Sequence, residues 1–142
     1  MFQNIIIPVD LSEKQSIKII LSKALEIADK FKAKLHFIYI ISDFGIKMVE
    51  DYLPKNWAKV QKEKYQMQMQ ELVSQYVPKE RAVEFYVGRG AIYDKVIQYT
   101  NDAKGDLIII SAVRPQFSGY MLGPNASKIV RHASVSVLVI RE

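Results

Sequence analysis

The sequence predicts an α/β domain, a five-stranded parallel sheet with helices on both faces. Three observations carry this prediction. Short apolar runs alternate with segments of helical periodicity along the chain, which is the pattern of βαβ units. The runs are continuous rather than alternating, as in "NIII", "LIII" and "VLVI", and a strand reads that way when both of its faces are covered. No repeat and no Pro/Gly/Ser-rich linker interrupts the order, so residues 1–142 are expected to form one domain.

The elements follow in order. "NIIIPVD" (4–10) is the first strand, bounded by Pro8 and Asp10. Ser12 with Gln15 three residues on makes a capping box, so a helix is expected to begin there. Its face is Ile17, Ile20, Leu21, Ala24, Ala28 and Phe31. "AKLHFIYII" (33–41) is the second strand, and "SDFGIKMVEDYLPKN" reads as a loop with one helical turn. From Trp57 to Tyr76 the chain is helical, with Tyr65, Met69, Leu72, Val73 and Tyr76 as its buried stripe and Pro78 as its stop. "RAVEFYV" (81–87) is the third strand, and "GRG" turns the chain into a helix bearing Ile92, Val96, Tyr99 and Ala103. "DLIII" (106–110) is the fourth strand. A loop with Gly119 and Gly123 leads to a helix marked by Leu122, Ala126, Ile129 and Ala133, and "SVLVI" (136–140) closes the sheet.

Composition narrows the function. There is no cysteine, hence no disulfide, thiolate nucleophile or Cys-bound metal. The first residues lack the basic and apolar regions of a secretory signal, and no apolar run reaches the roughly 18 residues that span a bilayer. A cytoplasmic protein without membrane contact is expected. The net charge of +5 is spread over lysines among acids and glutamines, with no stripe of Arg and aromatics. A solvated surface explains it better than a nucleic-acid partner.

Candidate chemistry is sparse. The two histidines, His36 and His132, have no Ser or Asp partner at a motif spacing. His36 reads as a satisfied strand residue, and His132 beside Arg131 suits the dipole at a helix C-terminus. No set of residues has metal-ligand spacing, and no catalytic residue stands out. Asp10 alone after the first strand is too few acids for a phospho-acceptor that holds magnesium. Neither G-x-x-x-x-G-K-[ST] nor G-x-G-x-x-G after the first strand is present. The stretch after the fourth strand is more telling, because its glycines lead into "PNAS", a helix start whose free N–H groups suit an anion.

These residues bring a family into view. "NIIIPVDLS", "VGRGAIYDKVI", "GDLIII" and above all "LGPNASKIVRHASVSVLVIR" resemble the universal stress protein family over essentially the whole chain. The resemblance implies a Rossmann-like, adenine nucleotide alpha hydrolase-like three-layer sandwich. It also implies a homodimer paired through the last strand, 136–140, which would otherwise be an exposed edge. The nearest branch carries a loop beginning Gly-Ser, then a proline, and ending Leu-Gly-Ser-Asn-Ala. Pro115, Leu122, Gly123, Asn125 and Ala126 match it, whereas Ser111, Ala112 and Pro124 depart from it.

The resemblance further implies an adenine nucleotide, ATP or AMP, in stress response, with Mg2+ only if ATP binds. Pro8, Val9, Asp10 and Ile40 then fall at the adenine. Gly90 and Gly123 would allow close backbone approach, and Ser111, Arg114, Asn125, Ala126 and Ser127 would lie toward the phosphates. Pro124 suits the first helical position but has neither N–H nor hydroxyl to offer a phosphate. Two alternatives stay open: a dimeric interaction module that binds no nucleotide, and a slow ATPase or self-phosphorylating protein.

Overall fold

The computed structural model describes residues 1–43, 46–112 and 123–141. Strands β1 (Asn4–Pro8), β2 (Lys34–Ser42), β3 (Val83–Gly90), β4 (Leu107–Ser111) and β5 (Ser136–Ile140) form one sheet. Its order is β3-β2-β1-β4-β5 and every neighbouring pair is parallel. Among the described residues five helices connect the strands: α1 (Lys14–Phe31), α2 (Ile46–Val49), α3 (Trp57–Ser74), α4 (Ile92–Asp102) and α5 (Pro124–His132), with a 3-10 turn at Glu50–Tyr52. This is the three-layer α/β architecture expected.

The period of two in a strand divides the core into two layers. Ile5, Ile7, Leu35, Phe37, Leu107 and Ile109 pack beneath α1 and α3, against Ile17, Leu21, Ala24, Met69 and Val73. Ile6, Ile38 and Ile108 point the other way, against Val96 of α4 and Ile129 of α5. The continuous isoleucine runs are thus buried on alternating sides. Each fully buried isoleucine contributes about 1.5–3 kcal/mol, which makes the central strands the most expensive places to introduce a polar group.

Three local expectations need correction. The capping box does not form. Helix α1 starts at Lys14, its N-cap Glu13 makes no side-chain cap bond, and Ser12 donates to Asp10 instead, from its N–H at 3.0 Å and its hydroxyl at 2.5 Å. The Ser12 N–H that the Gln15 side chain would have accepted goes instead to the Asp10 carboxylate, a charged acceptor two residues back. "GRG" is not a turn but the end of β3, with Gly88, Arg89 and Gly90 opposite Ile40, Ile41 and Ser42. A Cβ on Gly88 would stand 2.9 Å from the Tyr86 ring and 3.1 Å from Ile40, so packing space selects that glycine. Tyr76 lies past the end of α3 and is exposed, because the helix finishes at Ser74.

His36 is satisfied, as expected. It is buried in β2, with Nδ1 2.9 Å from the Tyr99 hydroxyl and Nε2 3.0 Å from Asn4 Oδ1. Among the described residues no helix is long and apolar enough to cross a membrane.

Candidate functional site

The order β3-β2-β1-β4-β5 reverses direction between β1 and β4. From β1 the chain turns into α1 on one face, whereas β4 precedes α5 on the other. Diverging connections leave a crevice beyond the carboxyl ends of the two strands. A cavity of about 240 Å3 lies there, lined from β1, β2, β4, α1, α4 and α5.

Each wall has a local cause. Pro8 closes β1, and the N–H of Val9 reaches the Ile38 carbonyl at 2.8 Å, so the backbone stays in line with the sheet up to Asp10. The Asp10 carbonyl then accepts the Glu13 N–H at 3.1 Å, and this turn delivers Glu13 and Ser16 of the first turn of α1 to the cavity. β4 ends at Ser111, beyond which the Ala112 N–H bonds the Ile140 carbonyl at 3.0 Å. Gly123 is the extended N-cap of α5, with Pro124 first in the helix.

Burial sorts the lining into floor and rim. Ile17, Ile20, Ile38, Ile40, Val96, Ile110 and Ile129 are almost fully buried. Asp10, Glu13, Ser42 and Ser111 are partly or fully exposed. Tyr39 also lines the space. Burial pushes its phenol above the ordinary value, and Tyr65 and the Asp10 carboxylate add in the same direction, so it stays a neutral hydroxyl at pH 7.

α5 meets the rim with its N-terminus. The Ser127 N–H is used at once, donating to the Gly123 carbonyl at 2.9 Å. Pro124 has no N–H, so the first turn presents the N–H groups of Asn125 and Ala126, which have no carbonyl within the helix. Both residues line the cavity.

Of the residues singled out in the sequence, Pro8, Val9, Asp10, Ile40, Ser111, Asn125 and Ala126 surround this one cavity. Gly90, Gly123 and Ser127 are not part of its wall. Gly90 sits at the end of the outer strand β3 with a φ of +139°, under the methylene stem of Lys95. Gly123 stands next to the wall as the N-cap, and the backbone donor of Ser127 is spent inside the helix. Arg114, like Pro115, Gly119 and Leu122, lies outside the described residues. Sequence reasoning missed Glu13, Ser16, Tyr39 and Ser42. The first two had a usable signal, since they follow Asp10 at three and six residues, a helical spacing.

A model of the universal stress protein family matches residues 1–141. The chain belongs to that family. Among curated universal stress proteins, Universal stress protein G of Escherichia coli O157:H7 is 25% identical over 155 aligned positions, covering 99% of this chain and 100% of the relative. The universal stress protein UspA from Lactobacillus plantarum superposes with a TM-score of 0.72 at 22% identity, covering 99% of this chain and 98% of that one. A universal stress protein solved in complex with cAMP superposes at 0.63 with 18% identity, covering 99% and 97%. In this universal stress protein the three-layer α/β fold is therefore that of its solved relatives. The acidic, serine-bearing rim is written in its own residues.

Proposed function

We propose that this universal stress protein is a homodimer that binds an adenine nucleotide, AMP or ATP, in the crevice between β1 and β4. The observation that carries the reading is the division of the cavity. A buried isoleucine and valine floor suits a flat heterocycle, and two N–H groups at the start of α5 suit a phosphate. At about 240 Å3 the space is small beside the roughly 300–1,000 Å3 of drug-sized sites, so it suits the base, with the phosphates at the rim. Asp10 offers an acceptor beside the base. The relative solved with cAMP supports an adenine nucleotide as the ligand class.

Magnesium would enter with the phosphates of ATP, since no three His, Asp or Glu among the described residues are grouped to hold a metal. The dimer is supported by β5, an edge strand on which Leu138 is 36% exposed. Beside it an open groove is lined by Ser22, Lys23, Glu26, Ile27 and residues 138–141.

Denaturing the purified protein and resolving the supernatant by chromatography detects a carried nucleotide, and calorimetric titration with AMP and ATP measures affinity. We expect saturable binding below millimolar concentration. No released nucleotide and no heat at millimolar ligand would refute the reading. That outcome would favour an interaction module without a nucleotide, to which Pro124 points by removing one phosphate donor.

A further inference from the structure

We infer that Glu13 selects the sugar of the nucleotide, accepting hydrogen bonds from the vicinal hydroxyls of a ribose. This rests on the nucleotide reading above. Four observations lead to it. Glu13 lines the cavity and is partly exposed, which places it on the rim rather than the floor. Its backbone is held on both sides: its N–H donates to the Asp10 carbonyl at 3.1 Å, and its carbonyl accepts the Ser16 N–H at 3.1 Å. As N-cap it makes no cap bond, and its carboxylate has no side-chain partner among the described residues. The neighbouring Asp10 differs, because its Oδ1 already takes both donors of Ser12.

An ionised carboxylate only accepts hydrogen bonds and repels phosphate. An adenine nucleotide at neutral pH offers donors in two places, the exocyclic amine and the sugar hydroxyls. The base belongs on the isoleucine floor beside Asp10, and the phosphates at the Asn125 and Ala126 N–H groups. The part of the ligand left at the rim near α1 is the sugar, whose adjacent hydroxyls match the two oxygens of one carboxylate. Because the backbone of Glu13 is fixed before the ligand arrives, only its side-chain rotors remain to be ordered on binding.

The test is a double cycle of protein and ligand. AMP, 2′,3′-dideoxy-AMP and purine riboside 5′-monophosphate are titrated into wild type, Glu13→Gln and Glu13→Ala, with thermal melts to establish that each variant is folded. Wild type should bind AMP roughly ten- to hundredfold more tightly than the dideoxy ligand, as hydrogen bonds to a charged group require. In Glu13→Ala that ratio should fall to near one, with Glu13→Gln between. An undiminished ratio in Glu13→Ala overturns the inference and leaves nucleotide binding standing. So does a Glu13 dependence that disappears with the ligand lacking the amine. A wild type that binds none of the three overturns both readings together.

Discussion

His36 shows how much a single side chain can record. Its partners settle its proton. The Asn4 amide nitrogen donates to the Lys104 carbonyl at 3.4 Å, so Asn4 Oδ1 must accept from His36 Nε2–H. Nδ1 is then the acceptor of the Tyr99 hydroxyl. This neutral ring is held by burial, which lowers its pKa below 6.5; Glu84 opposes and Lys34 assists, both more weakly. The sign follows from linkage. Above pH 6.5 both states are neutral and nothing is lost, whereas below it the unfolded chain takes up a proton that the folded chain refuses. Stability should therefore fall as pH drops from 6.5 toward the lowered value, then level off. Urea midpoints across that window should slope in wild type and lie flat in His36→Gln, which keeps a donor and an acceptor but does not titrate. The ion pair of Glu84 with Lys34 lowers the Glu84 pKa from 4.5, so its loss belongs to a separate, more acid range.

At the scale of elements, α5 is the helix whose start bears on function. Proline at its first position costs the fold almost nothing, because an N–H there would have no acceptor in the helix. It does remove a donor from the rim. Pro124→Ser restores an N–H and adds a hydroxyl, so AMP affinity should rise by roughly tenfold in calorimetry. The accompanying loss of stability should stay under about 1 kcal/mol, the usual worth of a proline's restriction of the unfolded chain. A variant that binds AMP no better than wild type would show that phosphate does not rest on this helix. α1 begins differently. Its N-cap Glu13 lines the cavity and makes no side-chain cap bond to the helix.

At the scale of the whole molecule, the sheet has two edges that the described residues cover differently. α3 packs along β3, whereas β5 alternates exposed and partly buried residues up to Ile140. An edge with unpaired N–H and C=O groups either pairs or carries charge to prevent pairing, and "SVLVI" has no charge within it. The proposed dimer pairs this strand with its copy. Leu138→Lys places a charge on the exposed edge and should convert dimer to monomer in sedimentation velocity. Because Leu138 is already 36% exposed in one chain, the subunit itself should stay folded by circular dichroism. Persistence of the dimer in this variant would move the interface elsewhere.

Sequence by itself determined what local periodicity and chemistry encode. The isoleucine runs declared strands covered on both faces, and the helical stripes of Ile17 to Ala28 and of Met69 and Val73 declared the layers above them. Asp10 declared the turn at the end of β1. Tertiary structure decided what depends on convergence. Glu13 and Ser16 became cavity walls only when β1 and β4 came side by side and their connections parted to opposite faces. Gly88 looked like a turn until the space taken by Tyr86 and Ile40 made it part of a strand. Ser12 looked like a cap until Asp10 took its hydrogen bonds. A side chain's period is set by its own segment, but its partner is set by strand order, and strand order is fixed by contacts far apart in the chain.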